Sequence, residues 1–553
     1  MIRKSIGLLL ATLVLAGCAQ LPQTGAIGIG PDVSSGQNTD YLYYSPAMPS
    51  VGATQQDIIS GFLSAGNGPQ NDYLVARSYL TSSEQTKWSP SDEVLVQDGA
   101  PAFDYVTADS VRVIVKISAS IDKNGAYRVQ KLGTTRVLDF KFAKEAGEWR
   151  ITSAPNLTML IHPNFQVIFK AFQVYFFDKN HETLVPDVRW LPARTSTATR
   201  LTQAVLGGPQ QWLAPALADS APELALRVNA VTVSNGIASV DLDAKAYKVS
   251  NKQLQFLKAE LKATLFQLPD ITGLTISIDG VPQSLTDVAA HVAESATGSP
   301  VVLSPAGLNH IGSNVAIVGA QQLSSVVGKP ATDFALSAGE ANLAVVNADG
   351  AYILNRGSLA DQPIFVDSRP HLLSPVWDNK NYLWTISSAL ASTWLATSAN
   401  GETSVIVAPN YAQSNVKSFS ISPDGSRAAI ISTGKRSGLW IVPIIRKPDG
   451  APSALGVGYK VTYASAAPKA VTWADSVHVA VLLKSKDQSI RAVISMIGGE
   501  YTLFSPVSGA TSIAATISGP YLYVRLADGT VVQSKNSIWS VVASDVLAMH
   551  YPG

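Results

Sequence analysis

The sequence predicts a multidomain, mostly β protein: two small α+β domains in succession, then a C-terminal β-propeller. Three observations carry that expectation. Apolar residues make up 46% of the chain, rich in Val, Ala, Ile and Leu, with abundant Gly, Ser and Thr between short apolar runs. Helical periodicity belongs to the segments before about residue 290, mixed there with alternating strands. From about residue 291 an apolar strand, a polar turn and a second apolar strand recur roughly every 40 to 50 residues, the period of propeller blades. At 553 residues the chain is long for one core, and about three or four domains are expected.

The chain opens with Arg3 and Lys4, followed by the uncharged, mostly apolar run Ser5 to Ala16 (SIGLLLATLVLA) and small residues. That is the layout of an export signal, too short to span a bilayer comfortably. Its ending, Leu15-Ala16-Gly17-Cys18, resembles a bacterial lipobox. The resemblance implies cleavage between Gly17 and Cys18, leaving Cys18 as an N-palmitoyl, S-diacylglycerol cysteine. Cys18 is the single cysteine, so no disulfide forms within the chain. Two or more acyl chains, at ~0.8 kcal/mol per buried methylene, anchor a protein stably. Residues 1–17 therefore read as a lipoprotein signal peptide and residues 18–53 as a lipidated, Gly/Pro/Ser-rich flexible tether. As a coil the tether spans on the order of 30 Å; the cluster Tyr41, Tyr43, Tyr44 lies within it. No later run of about twenty apolar residues follows. The expected location is the extracytoplasmic side of the cell membrane, lipid-anchored in the outer leaflet.

Residues 54–158 read as the first α+β domain. Thr54 and Asp57 form a capping pattern, and Ile58, Ile59, Phe62 and Leu63 share one helical face. A second helix is expected over Tyr73 to Leu80. In Ser110 to Ile121 (SVRVIVKISASI) alternation marks a half-buried strand. Asn124-Gly125 reads as a hairpin turn, because both central positions of a type I′ turn need positive φ. Strands are expected near 134–142 and 148–153. Helices followed by a curved antiparallel meander suggest a cone of the nuclear-transport-factor-2-like (NTF2-like) kind.

Residues 159–290 read as the second domain, in the order strand, strand, helix, hairpin, helix, strand. Gln166 to Asp178 opens it, and Gly207-Gly208-Pro209 stops the short helix Thr199 to Leu206. Asn235-Gly236 turns the hairpin of Arg227 to Asp243. In Asn251 to Leu268, Leu254, Leu257, Leu261, Leu265 and Leu268 form one stripe, so an amphipathic helix lies on a sheet. The segments VYFFD, LVPDVRWLP, LTQAVLGGP, ASVDLD and TLFQLPDITGLTISIDGVP together resemble a GerMN domain over roughly 167–282.

Residues 291–553 read as the propeller. Repeats begin at Phe334, Leu372, Ser418, Lys469 and Thr511, and a sixth blade near Val301 is left open. Ser422-Pro423-Asp424-Gly425 is a turn common in bacterial propellers; Asp349-Gly350 and Asp528-Gly529 repeat its Asp-Gly step. Trp377, Trp384, Trp394, Trp440, Trp473 and Trp539 lie here, and wedging between blades is favoured over a sugar-binding row. Lipobox, tether, α+β domain, GerMN domain and propeller, in that order, resemble the actinobacterial LpqB lipoprotein family. The resemblance implies a non-catalytic envelope lipoprotein associated with the MtrAB two-component system. It would act on the extracytoplasmic side of the sensor histidine kinase MtrB and influence cell-wall metabolism and division.

The residues themselves offer little chemistry. The seven histidines, His162, His181, His291, His310, His371, His478 and His550, show no metal-ligand spacing. There is no G-x-S-x-G elbow, and Gly434-Lys435-Arg436 lacks the Ser or Thr of a phosphate loop. Ser414-Asn415-Val416-Lys417 has S-x-x-K spacing but no accompanying K-T-G. Asp241 and Asp243 in VDLD fall on one strand face about 7 Å apart. That is a glycosidase-like pair, but Val240 and Leu242 point inward and leave the aspartates on the solvent face. No catalytic residue, metal or cofactor is expected. A net charge of +1 without a basic stripe argues against nucleic acid, and the oligomeric state stays open. The alternative is a cell-wall polymer (peptidoglycan or glycan) binding protein or hydrolase.

Overall fold

The computed structural model describes residues 46–553 except positions 69–70, 194–195, 221–222, 314, 360–361, 414, 435, 464–465, 519–521 and 536–537. Cys18, Gly17, the lipobox residues Leu15 and Ala16, the signal segment and the tether through residue 45 lie outside the described residues.

The first domain opens with the helix Gln55–Ala65. The Thr54 N–H donates to the Asp57 carboxylate at 2.9 Å and the Asp57 N–H to Thr54 Oγ1 at 3.2 Å, a reciprocal cap. Ile58, Ile59, Phe62 and Leu63 are buried against Val111, Val113, Val115 and Phe140. The second helix is shorter than its sequence pattern, Leu74–Ser78. Tyr73 takes left-handed φ of 59°, and Leu80 leaves the helix to bridge Ile151. The sheet runs Glu148–Ser153, Thr135–Glu145, Ser110–Asp122, Glu93–Gln97, Thr158–Ile161, antiparallel except for its last pair.

The Asn124-Gly125 turn departs from type I′. Only Gly125 has positive φ, at 81°. The Asp122 carboxylate accepts the N–H groups of Asn124 and Ala126 at 2.9 and 3.0 Å and holds a longer loop. Asn235 and Gly236, by contrast, both have positive φ, 50° and 77°, and join Thr232–Ser234 directly to Ile237–Leu242.

In the second domain a short helix, His162–Ile168, with Pro163 in its first turn, stands where a strand was expected from Gln166; the strand is Phe169–Phe177. It pairs antiparallel with Thr183–Pro192, whose other neighbour is His291–Val292. A separate sheet sets Ile237–Leu242 parallel to Gly273–Ile278, and the capped helix Asn251–Leu265 makes the crossover between them. Leu254, Leu257, Leu261 and Leu265 face the core as their spacing requires.

Six sheets follow, each of four strands on its main path. The blade count left open by the sequence is therefore six among the described residues. The first blade holds Val301–Ser304, Gly307–His310 and Ala316–Gly319, and the chain's last strand, Ala548–His550, completes it antiparallel to Val301–Leu303. The circle thus closes by pairing one end of the domain with the other. Trp377, Trp384 and Trp394 are fully buried. The indole N–H groups of Trp377 and Trp473 donate to the carbonyls of Ala335 and Ser420, each in the preceding blade, at 3.2 Å. These tryptophans wedge the blades together, as expected. No described helix is long and apolar enough to cross a membrane.

Candidate functional site

Residues 46–553 form one compact unit, and the strand Thr183–Pro192 shows how. It is buried at all ten positions, charged residues included. Period-two alternation would leave every second residue in water; here both faces are covered, one by the second domain's own core and the other by its neighbours. Asp187 and Arg189 are 2% and 3% exposed and pair at 2.7 Å. A buried charge demands a full set of partners. The Gln210 N–H and side-chain amide donate to Asp187 at 2.8 and 2.6 Å. Arg189 donates to the carbonyls of Asn124 at 2.8 Å and Gly208 at 3.2 Å.

The first domain docks through its Asp122 loop. The Trp190 N–H donates to the Gly125 carbonyl at 2.8 Å, and a Cβ on Gly125 would stand 3.0 Å from the Trp190 carbonyl oxygen. That close approach, together with the positive φ, requires glycine. Tyr127, Phe165 and Trp190 then cluster with ring centroids 5.0 to 5.7 Å apart.

The propeller docks on the same strand. The Trp190 indole donates to the Gly498 carbonyl at 2.9 Å. Arg427, 1% exposed, donates to the Pro186 carbonyl at 3.2 Å and the Ser476 carbonyl at 2.7 Å, pairs with the buried Asp424 and lies 5.2 Å over the Trp473 ring. Lys380 of the third blade reaches Glu182 and lies 3.5 Å from Asp178. The SPDG turn thus does more than reverse the chain: its aspartate holds the arginine that ties propeller to second domain. One signal was available in the sequence, an arginine opening the otherwise apolar run RAAIIS.

The candidate catalytic groups do not converge. Val240 and Leu242 enter the core as expected, but the aspartates beside them are not free on a solvent face. Asp241 is half-buried and accepts Ser277 Oγ at 2.7 Å, the Gly280 N–H at 2.9 Å and the Arg227 guanidinium. Burial alone would raise its pKa; these donors outweigh it and hold the carboxyl below its ordinary range. One oxygen of Asp243 is buried without a hydrogen-bond partner among the described atoms. The histidines are dispersed: His478 pairs with Asp475 at 2.8 Å, His550 with Asp333 at 2.9 Å, His310 with Glu340 at 3.1 Å, and His181 stacks 4.1 Å from Phe256. Among the described residues no three His, Cys, Asp or Glu side chains gather as metal ligands would.

Three of the concave surfaces among the described residues reach about 620 Å³ or more. A cleft of about 620 Å³ lies at the propeller axis, lined by Trp377, Trp473, His310 and the chain's last four residues. A more apolar cleft of about 770 Å³ separates the first domain from the fifth blade, with Leu132, Met496 and Phe504 in its wall. The third, about 930 Å³, draws on all three modules: the Asp122 loop and Arg128, the helix Thr197–Leu206 with the loop to Trp212, and Trp440, Tyr459 and Lys460 of the fourth blade. Trp212 and Tyr459 stack at 5.7 Å there. Burial raises the Tyr459 pKa above its ordinary value, and Arg128 works against that shift. Trp377, Trp440, Trp473 and the Gly207-Gly208-Pro209 stop are marked in the sequence, but for blade packing and helix termination, and nothing in the local sequence groups them into a cleft. Among the described residues these clefts between them bring together aromatic, amide and cationic side chains from separate modules.

Residues 48–166 match the family model described as the N-terminal domain of lipoprotein LpqB, residues 173–284 the model described as sporulation and spore germination, and residues 311–552 the model of the LpqB β-propeller domain. A lipoprotein LpqB of Thermobifida fusca is 31% identical over 310 residues, covering 54% of this chain and 49% of that protein. One of Mycobacterium bovis is 27% identical over 469 residues, covering 77% and 78%. The chain spans about half the length of the first of these relatives. A solved β-propeller domain of Cps50 (Swd1) from Myceliophteria thermophila is 12% identical over 38% of this chain and 85% of its own, at a TM-score of 0.28, too low for any transfer.

Proposed function

We propose that this chain, a member of the LpqB lipoprotein family, is a non-catalytic envelope lipoprotein that modulates a sensor histidine kinase of the MtrB type. Cys18 would carry the lipid and hold the protein on the extracytoplasmic side of the membrane. The folded body would meet the kinase ectodomain there and, through the MtrAB system, influence cell-wall metabolism and division. The single observation that carries a binding role is the ten-residue buried strand Thr183–Pro192, which joins three modules into one body. A pre-organised body loses little freedom on association. It therefore acts by differential binding: contacting one kinase conformation better than another shifts the equilibrium by the difference in affinity. The matched relatives are named as lipoproteins.

The test is to crosslink intact cells producing the tagged full-length chain and identify what co-purifies. A sensor kinase enriched above an unrelated lipoprotein control supports the reading; wall polymer or wall-synthesis enzymes without a kinase overturn it. Separately, Cys18→Ser should leave the precursor unlipidated and uncleaved at Gly17–Cys18. Incorporation of labelled lipid into that variant would refute the anchor.

A further inference from the structure

We propose that the 930 Å³ cleft at the three-module junction binds an anionic saccharide, a chain of sugars carrying phosphate or phosphodiester groups. The inference stands apart from the kinase reading. The chain as a whole is nearly neutral, 41 basic against 40 acidic residues. The cleft is not: its wall holds Lys123, Arg128, Arg189, Arg200 and Lys460, and Asp122 is the one carboxylate among the lining residues. Arg189 is neutralised by Asp187, and Asp122 accepts two backbone N–H groups of its own loop. Lys123, Arg128 and Lys460 are exposed and make no ion pair among the described residues. Like charges brought together without counterions favour an anion, and arginine and lysine are the side chains that take phosphate.

Aromatic rings set this cleft apart from a plain anion trap. Trp212 and Tyr459 stack on each other, and Trp440 stacks on Tyr411 at 4.2 Å with Lys460 Nζ 5.6 Å from the Trp440 ring centroid. Gln211, exposed, adds an amide to the wall. Aromatic rings in the wall to lie beside ring carbons, an amide for hydroxyls and cations for phosphates together describe a phosphorylated sugar. The volume lies within the ~300–1,000 Å³ of specific small-ligand sites. A nucleic-acid surface would instead present a basic track along an open face, whereas these cations converge on one concavity built by three modules.

The experiment is isothermal titration of the full-length chain in detergent with a synthetic mannose trimer joined by phosphodiesters. Unphosphorylated mannotriose, inorganic tripolyphosphate and a short oligothymidylate are titrated alongside. The trimer should bind saturably, more weakly as salt rises, and roughly tenfold or more tighter than any of the three controls. Reversing two exposed cations, Arg128→Glu with Lys460→Glu, should cost roughly tenfold or more, the worth of a lost charge-assisted hydrogen bond, while the melting temperature stays unchanged. If that variant unfolds, Lys123→Glu takes its place. Absence of saturable trimer binding, equal binding of tripolyphosphate or mannotriose, tighter binding of oligothymidylate, or indifference to charge reversal would each overturn the proposal.

Discussion

Arg427→Met tests whether the three modules are held together as described. The methionine keeps an apolar stem of similar length and removes the guanidinium. Asp424, with a side chain 0% exposed, would then be a buried carboxylate without its cation. Removing one partner of a buried pair costs about 3–5 kcal/mol. The lower end applies here, since Asp424 keeps Ser422 Oγ at 2.7 Å, the Ser426 N–H at 2.9 Å and Ser426 Oγ as donors. Losing the bond to the Ser476 carbonyl adds about 1 kcal/mol, and losing the bond to Pro186 a similar amount. The stack on Trp473 contributes up to about 2 kcal/mol. These terms overlap, so the expected loss is about 4 kcal/mol. Asp424→Asn alone strands the cation and should also destabilise. The double variant Asp424→Asn with Arg427→Met removes both charges and should cost less than the sum of the singles by more than about 1.5 kcal/mol. Urea unfolding followed by tryptophan fluorescence gives the energies, and limited proteolysis of the native protein reports separation of propeller from second domain. An Arg427→Met protein within about 1 kcal/mol of wild type, or strict additivity in the double variant, would refute the reasoning.

Three further outcomes are expected. Burial pushes Glu260 up to about 7, although its carboxylate accepts the Phe177 N–H and the Ser220 hydroxyl, each at 2.9 Å. The folded protein therefore binds this proton more tightly than the unfolded chain, so stability should fall as pH rises from the ordinary carboxylate range to about 7 and level off above. Glu260→Gln keeps both bonds through its amide oxygen, and its gain over wild type should grow across that window to about 3 kcal/mol at most; a pH-independent difference in urea midpoints would contradict this. Gly350→Ala places a Cβ 2.0 Å from the Asp367 carbonyl oxygen at φ +144°, and should cost more than about 2 kcal/mol. Gly133→Ala, with positive φ but open space around it, should cost less in the same thermal melt. Deleting residues 548–553 unzips the strand that pairs with Val301–Leu303 and removes the 2.9 Å His550–Asp333 contact. An exposed edge of that kind recruits other chains, so size-exclusion chromatography should show aggregates, and a monomer of unchanged melting temperature would exclude this closure.

What the sequence disclosed is what short-range chemistry encodes. The cap at Thr54 and Asp57 needs two residues three apart, the leucine stripe of Asn251–Leu265 needs helical spacing, and Asn235-Gly236 needs only two tolerances for positive φ. Each is settled within one turn or one hairpin. At Asn124-Gly125 the same logic found the hairpin, which joins Ser110–Asp122 to Tyr127–Val129, but misjudged the turn type, because the Asp122 carboxylate takes the N–H groups of Asn124 and Ala126. It also passed over Glu260, a polar letter beside the leucine stripe, whose burial depends on the remote Phe177 and Ser220.

The junction was illegible for a different reason. Its contacts join residues hundreds of positions apart, Trp190 to Gly498 and Arg427 to Pro186, and apart from Arg427, which opens the run RAAIIS, no partner looks unusual within its own segment. A fully buried strand normally reads as an unbroken apolar run. Thr183–Pro192 contains Asp187 and Arg189, and such a mixture reads locally as a strand with one wet face. It is buried because the second face belongs to other modules, a fact carried by no window of ten residues. The cleft beside it follows the same rule. Lys123, Arg128 and Lys460 form no basic segment; they become a concentration of charge only once three separately encoded folds have docked. The proposed binding surface is therefore a property of the assembly of modules, and a substitution at Asp187, a strand residue outside the cleft lining that holds Arg189 and Gln210, should alter ligand binding there without replacing a cleft residue.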